Sequence, residues 1–126
     1  MRQTIFQSGD LSIEVAPDAT PQALIFKFPA QFTSDICDSA IEVWSQFCDD
    51  SDKPYHHVWD CSGMTSFEMA AKKSWQRQMD KCANSIDHIS LISDVVISIS
   101  RGAARLMSKF VKLDLKVFKN LSELHL

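Results

Sequence analysis

An α/β sandwich with a mixed, mostly parallel sheet is the fold class this sequence predicts, and three observations carry it. Beyond residue 22, short apolar and β-branched runs alternate with longer segments whose apolar residues recur at helical spacing, the pattern of parallel strands joined by right-handed crossover helices. Near the start, two strand-like runs flank Ser8, Gly9 and Asp10, whose Gly-Asp pair suits a tight turn. The chain has 126 residues, 45% hydrophobic and 23% charged, with three glycines and four prolines. That composition suits one compact domain spanning 1–126 and argues against disorder. The expected order is ββ(β)αβαβαβα, with no internal repeat.

The elements follow in turn. "TIFQ" and "LSIEV" are the first two strands, and "ALIFKF" at 23–28 is the third, reached through the Pro-bounded loop "APDATP". Thr33 and Ser34 offer N-caps to a helix with apolar residues Ile36, Ala40, Val43, Trp44 and Phe47, which the polar "DDSDKP" ends. "YHHVWDC" at 55–61 reads as a buried strand. It leads into the polar elbow "DCSGMTSFE", residues 60–68, where Thr65 and Glu68 have the spacing of a capping box. Ala71, Trp75, Met79 and Cys82 mark one face of the next helix, to about residue 83. "IDHISLIS" is a strand, and a helix is expected between 96 and 110 around Ala103, Leu106, Met107 and Phe110. "KLDLKVFK" alternates as the last strand, and Asn120 with Glu123 suggests a capped terminal helix.

Charge and cysteine usage narrow the function classes. Net charge is −3, but residues 1–60 hold three Lys/Arg against ten Asp/Glu, whereas 61–126 hold ten against six. Such asymmetry suits a surface for a charged partner, and it also arises when helix ends complement their dipoles. The start lacks the basic flank and apolar core of a signal peptide, and no stretch nears the ~20 apolar residues of a membrane span, so a cytoplasmic protein is expected. Cys37, Cys48, Cys61 and Cys82 contain no CxxC pair and read as reduced, inert thiols.

Asp60, Ser62, Gly63 and Met64 after a strand, with "LKVF" at 115–118 in a late strand, are similar to the Asp-x-Ser-Gly-apolar corner and V-x-V-F strand of the STAS, or anti-sigma-factor-antagonist-like (SpoIIAA-like), family. The resemblance runs from about Leu11 to Leu124. It implies a STAS-like fold and a regulatory module that meets its partner at this corner. Glu68 falls at the family's acidic position, but Met69, Ala70 and Ala71 stand where its Ser-Ser-Gly would be. The usual phosphoacceptor serine is therefore missing.

Several chemistries compete at the elbow. A nucleophilic Cys61 or Ser62 would draw on His56, His57 or His88 as base, but the sequence is not G-x-S-x-G and adjacent strand histidines point to opposite faces. His57, Trp59 and Cys61 would share one face. No close Cys/His pair suggests a metal site, and no cofactor is expected. Gly63 and the helix start beyond it suit an anion, although a Thr65–Glu68 capping box would consume the same N–H groups. Lys73, Arg77 and Lys81, and again Arg101, Arg105 and Lys109, recur at i, i+4 and i+8, two basic rows against which Asp35, Asp38 and Glu42 form an acidic one. Overall negative charge and the absence of interleaved aromatics argue against nucleic acid. Trp44, Met69, Trp75, Met79 and Met107 read as core.

The expectation is a non-enzymatic cytoplasmic module. Cys61, Ser62, Gly63, Thr65, Ser66 and Glu68, with Lys73, Arg77, Arg101 and Arg105, would recognise a protein or an anionic ligand; a second copy in a homodimer is another candidate partner. The alternative is a carrier for a lipid or small apolar ligand, held in a cavity between the two later helices.

Overall fold

The computed structural model describes residues 2–19, 21–92, 115–118 and Leu124. The helix expected between 96 and 110, with Arg101, Arg105, Met107 and Lys109, lies outside these residues, as does the Asn120–Glu123 cap.

Strands β1 (Gln3–Ser8), β2 (Leu11–Ala16) and β3 (Ala23–Lys27) form an antiparallel meander. Its first turn depends on Gly9, whose φ of 58° is a left-handed conformation that glycine adopts without a steric penalty. Beyond β3 the sheet is parallel. Strands β5 (Tyr55–Asp60), β7 (Ile86–Ile92) and β8 (Leu115–Phe118) add in sequence, giving the order β1-β2-β3-β5-β7-β8. Helix α1 (Ser34–Asp50) connects β3 to β5, and α2 (Met69–Lys81) with a short 3-10 turn at Ala83–Ser85 connects β5 to β7. Two strands of two residues, β4 (Gln31–Phe32) and β6 (Ser66–Phe67), pair in parallel beside the main sheet. They are too short to leave a periodic signal in the sequence.

Strand alternation divides the core. One sheet face carries Ile13, Leu24, Phe26, His57, Trp59, Ile89 and Leu91, all buried. Against it pack Cys37, Ala40, Trp44 and Cys48 of α1 and Ala71, Trp75 and Met79 of α2; the α2 stripe is the one its helical spacing predicts, whereas on α1 Ala40 and Trp44 are buried as expected and Ile36, Val43 and Phe47 only partly. On the opposite face Ala16, Ala23, Ile25, Val58 and Ile92 cluster with Ala19 and Leu124.

Trp75 is the hub of the helix-side core. Its ring centroid lies 4.6 Å from that of Trp44, 5.3 Å from Phe26, 5.2 Å from Phe28 and 5.6 Å from Phe32, mostly in edge-to-face geometry that suits aromatic quadrupoles. Met69 departs from expectation. As the first residue of α2 it shares the outward face with Lys73 and is 58% exposed, so it is not core.

Candidate functional site

The elbow begins where β5 ends. Cys61 extends the ladder by donating its N–H to Ile92 O at 2.9 Å. Asp60 Oδ1 then accepts from Ser62 N at 3.1 Å and from Ser62 Oγ at 2.6 Å, an Asx-type turn that fixes the corner from within. Gly63 does not adopt a positive φ, and a Cβ built on it meets nothing within 4 Å, so the corner makes no steric demand for glycine.

The chain next docks on the segment before α1. Thr65 N, Ser66 N and Thr65 Oγ1 all donate to Ala30 O, at 2.8, 3.0 and 3.0 Å, and Glu68 N donates to Phe32 O at 2.9 Å. The expected Thr65–Glu68 capping box is therefore absent. Helix α2 starts only at Met69, with Glu68 at the N-cap position and no side-chain capping bond. The backbone donors that a local cap would have satisfied are taken by Ala30 O and by Phe32 O of β4, and this tertiary pairing displaces the local motif.

Glu68 caps the other helix instead. Its Oε1 accepts from Ser34 N at 2.6 Å, the first residue of α1, while Thr33 at the N-cap position accepts from Ile36 N at 3.5 Å, as its residue type predicts. A carboxylate at a helix start gains both a charge-assisted bond and a favourable dipole interaction. Glu68→Ala is expected to cost about 1 kcal/mol in urea unfolding, with Glu68→Gln intermediate. Equal stability of all three proteins would refute the capping role.

The three histidines considered as bases are engaged elsewhere. His57 is fully buried between Trp44 Nε1, which donates to its Nε2 at 3.1 Å, and Tyr55 O, which accepts from its Nδ1 at 3.0 Å. A carbonyl only accepts and an indole only donates, so these partners define the neutral Nδ1–H tautomer. Burial pushes the His57 pKa down to about 4. His56, on the other face, lies 2.7 Å from Ser90 Oγ and stacks on His88 with centroids 3.8 Å apart; burial and then the His88 charge lower its pKa to about 4. His88 Nδ1 sits 2.6 Å from Asp87 Oδ2. No imidazole among the described residues hydrogen-bonds to Cys61 or Ser62.

Cys61 itself is poorly suited to nucleophilic chemistry. Burial, reinforced by the Asp60 charge, pushes its thiol up to about 12, so it stays protonated near neutrality. It packs against the helix-side core, the face shared by His57 and Trp59.

The outer surface is different. Ser62, Gly63, Thr65, Ser66 and Glu68 are exposed, and α2 continues them with exposed Met69, Lys73, Arg77 and Lys81. Arg77 makes a 3.4 Å bond to Ser74 Oγ, and Lys72 Nζ lies 5.7 Å from the Phe67 ring centroid. Among the described residues, none of Lys73, Arg77 and Lys81 is in an ion pair. The acidic row Asp35, Asp38 and Glu42 is exposed on the neighbouring α1, so the two helices present opposite charge side by side. Sequence reasoning missed Met69 as a surface residue and the 30–32 segment as the support of the elbow. Between α1 and α2 the space is filled by Trp44, Trp75 and Met79. The cavity of the carrier alternative was expected between α2 and the helix within 96–110, outside the described residues. No described helix is long and apolar enough to cross a membrane.

Neither a family model nor a curated protein sequence matches this chain. Among solved structures it is similar to an uncharacterized protein of the DUF3478 family from Shewanella loihica PV-4, which has a SpoIIAA-like fold. The two share 13% sequence identity and superpose with a TM-score of 0.74 over 94% of each chain. That degree of identity speaks to architecture rather than activity. Sheet order, crossover helices and the superposition together show that this chain has the SpoIIAA-like fold its strand and elbow motifs resemble.

Proposed function

We propose that the protein is a non-enzymatic, cytoplasmic regulatory module that binds an acidic protein surface through the Cys61–Glu68 elbow and the outward face of α2. One observation supports this reading above the others. Met69, a large apolar side chain 58% exposed, stands between the exposed hydroxyls of the elbow and the basic row Lys73, Arg77 and Lys81, which forms no ion pair among the described residues. An apolar anchor beside an exposed basic row suits a protein partner whose acidic groups meet the row. Arg101 and Arg105 extend the same proposal.

The experiment compares charge reversal on the two helices. The partner is first identified by crosslinking to the intact protein, and its affinity is then measured by calorimetry. The double variant Lys73→Glu/Arg77→Glu is expected to weaken binding by at least about tenfold, whereas Asp38→Lys on α1 leaves it within about twofold or strengthens it. Equal affinity for all three proteins contradicts the reading. So does loss confined to Asp38→Lys, which places the interface on α1. A self-associated second copy as the only crosslinked species also overturns it, in favour of pairing between the acidic and basic helices.

A further inference from the structure

Helices α1 and α2 lie side by side over one sheet face, and their outer sides carry opposite charge. Helix α1 has Asp35, Asp38, Glu42, Asp49 and Asp50, all exposed, and contains no Lys or Arg. Helix α2 has Lys72, Lys73, Arg77 and Lys81 against Asp80 alone. Among the described residues no ion pair joins the two rows. Each helix connects two parallel strands, so the two run in the same direction. Their N-terminal turns are in step at an offset of 34 residues, since Ser34 N meets Glu68 Oε1 and Cys37 Sγ donates to Ala71 O.

Such a layer is complementary to itself in one arrangement. A twofold axis that runs along the helices, between α1 and α2, sets α1 of each copy against α2 of the other and leaves every height along the axis unchanged. The same offset then defines the pairs. Lys73, Arg77 and Lys81 stand level with positions 39, 43 and 47, each within one turn of an acidic residue of the second copy: Asp38, Glu42, and Asp49 or Asp50. A twofold axis across the helices would instead set acid on acid and base on base, which is repulsive. Met69, exposed at the N-terminal end of α2, adds an apolar contact.

From this charge pattern we infer that the protein forms a weak homodimer in which the acidic face of α1 and the basic face of α2 pair reciprocally. The helices, 17 and 13 residues long, present a layer about 20 Å wide and about 20 to 25 Å long, roughly 500 Å² per copy. That area is at the low end for specific association and its contacts are mostly polar, so the dimer dissociates readily and depends on salt. Self-association covers Met69, Lys73 and Arg77. A partner bound there competes with the second copy, a consequence that rests on the function proposed above.

Sedimentation equilibrium of the full-length protein, with no partner present, tests this. The wild type should dimerise in about 0.02 M salt, with its affinity falling at least about tenfold by about 0.5 M. Asp38→Lys/Glu42→Lys and Lys73→Glu/Arg77→Glu should each weaken self-association by at least about tenfold, because either change sets like charge on like. Mixed in equal amounts, the two variants should form a heterodimer. The fourfold variant keeps the wild-type net charge of −3 and should dimerise again. A wild type that stays monomeric up to about 1 mM in low salt overturns the inference. A dimer that neither salt nor the two double variants weaken also overturns it, and places the contact elsewhere, such as the exposed β1 edge. Failure of the mixed variants to associate, or a fourfold variant that folds but stays monomeric, overturns it as well. None of these results bears on partner binding, which crosslinking and calorimetry decide.

Discussion

Trp75→Ala is expected to destabilise the protein by about 3 to 5 kcal/mol, the range for truncating a buried large aromatic. The residue is 2% exposed and its ring touches the indoles of Trp44 and Trp59 as well as Phe26, Phe28 and Phe32, so the space it leaves is lined from α1, β3, β4 and β5 and cannot close by one side chain shifting. Conservative replacements should separate its role from that of Trp44. The indole N–H of Trp75 is buried without an acceptor among the described residues, so Trp75→Phe loses area but also removes an unsatisfied donor. Trp44→Phe loses similar area and strips His57 Nε2 of its donor, leaving a buried acceptor unpaired. Urea unfolding should therefore rank Trp44→Phe as the costlier phenylalanine variant. The reverse order, or a Trp75→Ala cost below about 1 kcal/mol, contradicts this account of the core.

The second large effect is a loss of stability in mild acid. His57 has a folded pKa of about 4 against an ordinary value near 6.5, so between these values the unfolded chain binds the extra proton and unfolding is favoured as pH falls. The contribution is intact above about pH 6.5 and is lost progressively down to about pH 4. At pH 4.5 His57 alone should remove on the order of 2 to 3 kcal/mol. His56 shifts in the same direction and acts in the same window. The structural event is specific: a proton on Nε2 would face the Trp44 indole N–H that now donates there, turning a hydrogen bond into a donor–donor clash. Urea titrations at pH 7 and pH 4.5 should show the difference for the wild type, and His57→Gln should show a smaller one. A wild-type stability that is flat from pH 6.5 to 4.5 contradicts the neutral buried assignment.

Much of the architecture was legible because it rests on period and composition. Ala40 and Trp44 on α1, the stripe Ala71, Trp75 and Met79 on α2, and the apolar runs of β2, β3, β5 and β7 repeat local patterns that core burial enforces. Thr33 was readable as an N-cap because its partner, Ile36 N, is only three residues away. Thr65 and Glu68 had the same local look and proved otherwise. Their partners, Ala30 O and Ser34 N, lie 35 and 34 residues away, and no local pattern distinguishes a donor kept for a distant carbonyl from one that caps its own helix. Met69 was misread for a related reason. Its residue type favours burial, but its position at the first turn of α2 places it in phase with Lys73 and Arg77 rather than with Ala71 and Trp75.

Hydrogen exchange on the protein alone and with its crosslink-identified partner tests the docking surface most directly. The account predicts that binding slows exchange of the backbone amides of residues 62–64 in the elbow and of Met69, Ala70 and Ala71, whose N–H groups open the uncapped start of α2. Amides of the first turn of α1, where Glu68 and Thr33 already occupy the donors, should change little. Protection centred on the acidic face of α1 or on the β1 edge, with 62–64 and 69–71 unchanged, would contradict the claim that the elbow and the basic face of α2 form the recognition surface.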